Sequence, residues 1–168
     1  GKLFAHEWSG ISPDIMMVAK GIGGGFPLGA VLATEKAASG MTTGTHGSTY
    51  GGNPLACAVG AKVMEIVGDD AFLAEVNRKA ALMRQKLEGL VAEHPTIFEA
   101  VRGSGLMLGL KCKATNSDVV KAGFEQGVLS VPAADNVVRL LPALNIPDDD
   151  IAQAIARLDA AAASLEAG

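Results

Sequence analysis

Strand and helix signals alternate along this chain, and the alternation predicts an α/β or α+β fold. Short apolar runs stop at glycines, as residues 15–18 do just before Lys20, and these read as strands. Helices are marked by the pair Asn53-Pro54 and by a long apolar series with steps of three and four. The glycines are clustered, with Gly21, Gly23, Gly24, Gly25 and Gly29 in one group and Gly44, Gly47, Gly51 and Gly52 in another. Two places in the chain therefore need unusual backbone or close approach.

Taken in order, residues 15–18 form a short, buried-looking strand that delivers Lys20 into a glycine loop, and residues 29–33 form a second strand. Residues 41–52 have no period and read as a loop rich in hydroxyls. Asn53 caps a helix with Pro54 at its first position, which runs to Val67 and stops at Gly68. After Asp69-Asp70, apolar residues at Leu73, Val76, Ala80, Met83, Leu87 and Leu90 give a long amphipathic helix, ended near His94-Pro95. Residues 97–101 and 106–110 read as strands around a turn at 102–105, and residues 119–126 as a helix. Two more strands, 128–131 and 137–141, flank a turn at Asp135-Asn136. A last helix starts at Asp148, Asp149 and Asp150, whose charge suits a helix N-terminus, and turns Ile151, Ile155, Leu158 and Leu165 to one side. The expected lobe boundary lies near Gly68, dividing the chain into residues 1–67 and 68–168.

Hydrophobic residues make up 49% and charged residues 19%, which is the balance of a globular protein and excludes a disordered one. With a net charge of −4 and no Lys/Arg cluster, the chain lacks the footprint of a nucleic-acid or anionic-membrane binder. A small-molecule partner is the expectation. No apolar run spans a bilayer and no signal segment opens the sequence, so a cytoplasmic protein is expected. It begins at Gly1 without methionine, as a processed or truncated product would. Cys57 and Cys112 lack metal-ligand spacing, so no metal is expected and both read as small buried hydrophobes.

Three places could carry chemistry. Lys20 lies between an apolar run and Gly-Ile-Gly-Gly-Gly, where absent side chains leave room for a flat ligand beside the backbone. A desolvated lysine at a strand end suits imine chemistry, whereas an ordinary solvated lysine is the plain alternative. The lysine precedes the glycines and no Gly-Lys-Ser/Thr follows, which argues against a nucleoside-triphosphate loop. The loop from Gly44 to Asn53, with Ser48 and Thr49, suits a phosphate, and equally suits simple helix capping. His46 reads as a loop-packing residue. Arg139 interrupts an apolar strand, so it needs an anionic partner: a structural salt bridge or a ligand carboxylate. Together they offer an amine, a phosphate cradle and a carboxylate clamp, or else the Gly-rich loops of a non-catalytic binding domain.

The segment Ser12-Pro-Asp-Ile-Met-Met-Val-Ala-Lys20-Gly-Ile-Gly-Gly-Gly-Phe-Pro-Leu-Gly-Ala30 resembles the cofactor-lysine region of class III pyridoxal-phosphate-dependent aminotransferases. His46-Gly-Ser-Thr-Tyr-Gly-Gly-Asn-Pro-Leu-Ala56 resembles their second signature, and Arg139-Leu-Leu-Pro-Ala-Leu-Asn-Ile146 resembles their carboxylate-binding strand. Within the class, the residues just after Lys20 are most similar to acetylornithine aminotransferases; enzymes acting on ornithine, succinylornithine or an ω-amine are the alternatives.

The resemblance implies the C-terminal part of a fold-type I transferase, the end of the large cofactor-binding domain over residues 1–67 and a small α+β domain over 68–168. It implies pyridoxal 5'-phosphate as cofactor, carried by Lys20, which then moves the substrate's α-proton, with Ser48 and Thr49 on the cofactor phosphate. Arg139 would hold the carboxylate of 2-oxoglutarate and of the amino donor, in a homodimer whose active site both subunits share, serving arginine biosynthesis. The family's N-terminal portion supplies a further phosphate turn, a ring stacked on the pyridine and an aspartate for its nitrogen. None of these is found in this stretch, so by itself it is expected to hold the cofactor weakly.

Overall fold

The structure is a computed structural model and describes residues 1–167. It divides into two compact units, one from Lys2 to Leu73 and one comprising Gly1 and the chain from Ala74 onward.

In the first unit, strands β1 (Ile15–Ala19) and β2 (Gly29–Ala33) pair antiparallel from Ile15↔Ala33 to Ala19↔Gly29. A short 3₁₀ turn over Lys20–Gly23 follows β1 and closes on Gly24, which is left-handed at φ 55°. Helix α1 (Glu35–Ala38) is capped by the Thr34 hydroxyl, which accepts from the Ala37 amide at 3.2 Å. Helix α2 (Pro54–Val67) starts as its sequence requires, with the Asn53 carboxamide accepting from the Leu55 and Ala56 amides at 3.0 and 3.2 Å. It packs against the 3₁₀ turn, and glycines make that possible: a Cβ on Gly60 would stand 2.5 Å from Leu28 Cδ2, and one on Gly23 3.2 Å from Leu28 Cβ.

The expectation that residues 15–18 are buried is overturned. Met17 is 80% and Ile15 57% exposed, and every residue of β2 is exposed. Two strands make a ribbon, and covering both faces of a ribbon takes a further layer, which α2 alone does not supply. Cys57 is likewise exposed, on a side of α2 that borders a depression shared with Pro27 and Ser48, while Cys112 is buried as expected.

The second unit holds an antiparallel sheet of order β3-β4-β6-β5, formed by β3 (Phe98–Ser104), β4 (Met107–Cys112), β6 (Val137–Leu140) and β5 (Val131–Ala133). Its core draws Val76, Met83, Leu87 and Leu90 from α3 (Asp70–Glu93), and Leu108, Leu110, Val138 and Leu140 from the sheet. Val119 of α4 (Asn116–Glu125) and Ile151 and Leu158 of α5 (Asp148–Glu166) complete it. Burying ten or so such side chains at roughly 1.5–3 kcal/mol each is what stabilises this unit.

Several boundaries differ from expectation. The β3-β4 turn falls at residues 104–107, so Arg102 and Gly103 stay in the strand; Gly103 tolerates this at φ 104° because it has no side chain. Helix α4 begins three residues early, at Asn116, whose carboxamide donates to the Ala133 and Val137 carbonyls at 2.9 and 3.0 Å. β5 starts only at Val131. The Asp135-Asn136 turn holds, with both residues left-handed at φ 59° and 52°. Asn136 donates to the Cys112 and Ala114 carbonyls, both at 2.8 Å, and Asp135 accepts from Arg102 and from Lys111, the latter at 2.9 Å.

His94, 7% exposed just past α3, bridges two carboxylates of α5: Nε2 meets Asp159 Oδ1 at 2.9 Å and Nδ1 meets Glu166 Oε2 at 3.0 Å. Asp159, then Glu166, pulls its pKa above the ordinary 6.5, against the opposing effect of burial. Glu166, held by Thr96 and then by His94, lies below its ordinary 4.5. A raised histidine stabilises most at low pH and a lowered carboxylate most at high pH, so the bridge is worth most in the window above 4.5 and below 6.5. The thermal midpoint of this unit should therefore fall as pH rises from 6.5 through the raised pKa of His94, and His94→Gln should flatten that slope; an identical slope in the variant would show that the bridge does not form.

A Cβ on Gly103 would stand 2.1 Å from the Met107 carbonyl oxygen, a backbone atom that cannot move aside without opening the hairpin. Gly103→Ala is therefore expected to lower unfolding free energy by about 2 kcal/mol or more, read by urea denaturation. A neutral substitution would contradict this turn geometry.

Candidate active site

Lys20 stands one residue beyond the last ribbon pair, Ala19↔Gly29, with a left-handed backbone at φ 58°. Left-handed geometry costs a residue with a side chain about 1–2 kcal/mol, so something other than local preference fixes a lysine there. The turn that follows fixes it. Gly24 N–H donates to the Gly21 carbonyl at 3.1 Å and Phe26 N–H to the Gly23 carbonyl at 2.8 Å, while Gly60 lets α2 press against the same turn. The Lys20 side chain is exposed and makes no ion pair with a described residue. The desolvated position expected for it is therefore not provided by this stretch, since nothing in its own unit packs over the strand end.

Ser48 and Thr49 lie on the loop before α2, and neither hydroxyl is hydrogen-bonded to another described residue. Ser48, with Pro27, Leu28, Gly29 and residues 50–53 of its own loop, lines a depression of about 240 Å³. Gly29 thus joins the two regions: it pairs with the residue before Lys20 and shares a concave surface with Ser48. Gly51 is needed here, because a Cβ on it would meet Ser48 Cβ at 3.0 Å and Oγ at 3.2 Å. Thr49 does not line this depression, and the first amides of α2 are already taken by Asn53. Donors for an anion therefore come from the loop and its hydroxyls rather than from the helix N-terminus. His46 is exposed, which overturns the loop-packing expectation.

Arg139 belongs to the other unit. The pleat of β6 buries Val138 and Leu140 at 0% and 5% and turns Arg139 to the opposite face, where it is exposed. The structural salt bridge open to it on sequence grounds is absent among the described residues. It sits in a register row Arg102↔Gly109↔Arg139↔Val131. In that row Arg102 is neutralised by Asp135, whose carboxyl Lys111 and then Arg102 hold below the usual carboxylate range. Arg139 keeps its charge uncompensated, as a carboxylate clamp requires.

These groups fit pyridoxal phosphate: a primary amine on a fixed turn, hydroxyls without protein partners, and a loop held close by glycines where a Cβ would intrude. Gly29 and Gly51 belong to the two glycine groups where close approach was expected, whereas sequence reading missed Gly60, which lies outside both. No group of three or more His, Cys, Asp or Glu suited to a metal ion occurs among the described residues, and no helix there is long and apolar enough to cross a membrane.

The model of the family "Aminotransferase class-III" matches residues 1–162. The acetylornithine aminotransferase of Rhodobacter capsulatus is 73% identical over 166 residues, covering 99% of this chain and 42% of that protein, and that of Mesorhizobium japonicum is 58% identical, covering 98% and 41%. Among solved structures, the N-acetylornithine aminotransferase of Stenotrophomonas maltophilia superposes with a TM-score of 0.86 at 35% identity, over 99% of this chain and 44% of that one. The ornithine aminotransferase of Toxoplasma gondii does so with 0.89 at 32%, over 99% and 40%. The chain thus spans about two fifths of the length of the relatives it matches. With an amine-bearing turn, a hydroxyl loop and an unpaired arginine falling inside one matched stretch, this chain belongs to the class III aminotransferases.

Proposed function

We propose that this chain is the C-terminal part of an acetylornithine-type aminotransferase that moves an amino group from N-acetylornithine to 2-oxoglutarate, serving arginine biosynthesis. Lys20 carries this reading, being a lysine held left-handed between a strand and a glycine turn. Relatives at 73%, 58% and 53% identity, each named acetylornithine aminotransferase, support the donor.

Pyridoxal phosphate, when bound, supplies an aldehyde and an electron-withdrawing ring that accepts charge from the substrate's α-carbon. Lys20 would hold the cofactor through its side-chain amine and would take and return the substrate's α-proton at its Nζ. Ser48 and Thr49 donate hydroxyl hydrogens to the phosphate. Arg139 grips a carboxylate with two parallel N–H groups, in turn that of the amino donor and that of 2-oxoglutarate.

Residues 1–67 are read as the end of the large cofactor-binding domain and residues 68–168 as the small domain. The exposed loop around Tyr50, 82% accessible, and Leu55, 61%, suits a contact with a second subunit, in a cytoplasmic homodimer with shared active sites. The bare faces of the β1-β2 ribbon suit cover by the remainder of a protein of the relatives' length.

Borohydride treatment of the protein with pyridoxal phosphate should leave the reduced cofactor's mass on the peptide bearing Lys20. Lys20→Gly should abolish this labelling while the melting midpoint holds or rises, since glycine relieves the left-handed backbone. Labelling spread over surface lysines, or undiminished in the variant, would remove Lys20 from the mechanism.

Arg139→Ala in the full-length protein should raise KM for both 2-oxoglutarate and acetylornithine, by a free energy of about 2–5 kcal/mol, with the melting midpoint nearly unchanged because the side chain is exposed and unpaired. A fall in stability with both KM values intact would make the arginine structural. Comparing acetylornithine with ornithine as donor in the same assay separates the two branches of the class.

A further inference from the structure

The second unit contains a half-open groove of about 270 Å³, between α5 and the segments 127–129 and 140–146. Its floor is apolar, formed by Met83, Val128, Leu140, Ile151 and Leu158, all buried. Its lining also includes Asp150 and Arg157, charges of opposite sign. Seven residues apart, they lie on one face of α5, about 10 Å apart along its axis.

Neither charge is paired with a described residue. Asp148, two residues before Asp150, is taken by Arg78 at 2.7 Å, but Asp150 has no such partner. Arg157 donates one Nη1 hydrogen to the Gly127 carbonyl at 2.8 Å, which fixes the guanidinium at the groove and leaves its other N–H groups unused. Gly127 is needed for that approach: at φ 80°, a Cβ on it would stand 2.9 Å from Arg157 Nη1. Gln153, between the two charges, adds a neutral donor and acceptor.

We propose that this groove binds a small ω-amino carboxylic acid, its carboxylate on Arg157, its ammonium on Asp150 and its methylene chain on the apolar floor. A simple fatty acid would leave Asp150 facing apolar chain, and a simple amine would leave Arg157 so; only a ligand charged at both ends satisfies both groups and the floor between them. The site is separate from Arg139. Leu140 lines the groove while Arg139, its neighbour on β6, turns to the opposite face of the sheet.

The test uses the full-length protein carrying Lys20→Ala and Arg139→Ala, so that an added amino acid can neither react at the lysine nor engage the proposed carboxylate clamp, titrated with 5-aminopentanoate by calorimetry and by backbone amide shifts. One saturable site is expected, with shifts at Gly127, Leu129 and Gln153. Pentanoate and pentylamine should each bind about tenfold more weakly or worse. Asp150→Asn, at an exposed and unpaired position where folding is not at stake, should weaken 5-aminopentanoate by a similar factor, and Arg157→Gln likewise. Equal binding of the three compounds, unchanged binding in Asp150→Asn, or no saturable site would each overturn the proposal.

Discussion

Side chains on a strand alternate between its two faces, and in β6 that alternation governs what the second unit can do. Val138 and Leu140 must enter the core with Leu108 and Leu110, so Arg139 between them has to leave it. A shift of one residue in register would bury the guanidinium and expose two aliphatic side chains, an exchange the unit could not sustain. Apolar burial on one face thus fixes a charge on the other. The turn at Asp135 and Asn136 pins the register through hydrogen bonds to Cys112, Ala114 and Lys111.

In the first unit the governing constraint is close approach rather than burial. Only Gly23, Ala56 and Gly60 are buried there, so little apolar area holds the lysine turn in shape. Side chains packed directly onto glycines do so instead, with α2 brought up against the turn where Gly60 faces Leu28 and Gly24 faces Val63. A backbone held by such close packing can keep a lysine in a left-handed conformation that a lone loop would abandon. The same device keeps Ser48 close to Gly51 in the hydroxyl loop.

Charge separates the residues that serve the fold from those available to ligands. Arg78, Arg102, Lys111 and His94 are each matched to carboxylates that tie one element to another. Among the described residues Lys20, Arg139 and Asp150 have no such partner, and Arg157 has only a backbone carbonyl. The first two fall in the stretches that resemble family signatures, whereas Asp150 and Arg157 come from a helix whose sequence reads as ordinary amphipathic surface.

Much of this was legible in the chain alone, because local chemistry determined it. Asn53-Pro54 starts α2 and Gly68 ends it; the spacing from Val76 to Leu90 gives α3; Asp135-Asn136 turns the last hairpin. Lys20, Ser48, Thr49 and Arg139 stand out in the chain as candidates by residue type and neighbours. What the sequence could not supply was exposure, since burial depends on which elements meet. An apolar run such as residues 15–18 looks the same whether or not a layer covers it, and here Met17 is bare. Arg139 looked like a buried cation in need of a partner until the pleat put it outside. The junction of lysine turn and hydroxyl loop through Gly29, and the unpaired charges of the α5 groove, exist only because distant segments fold together, and pairing across such distances leaves no periodic trace in a sequence.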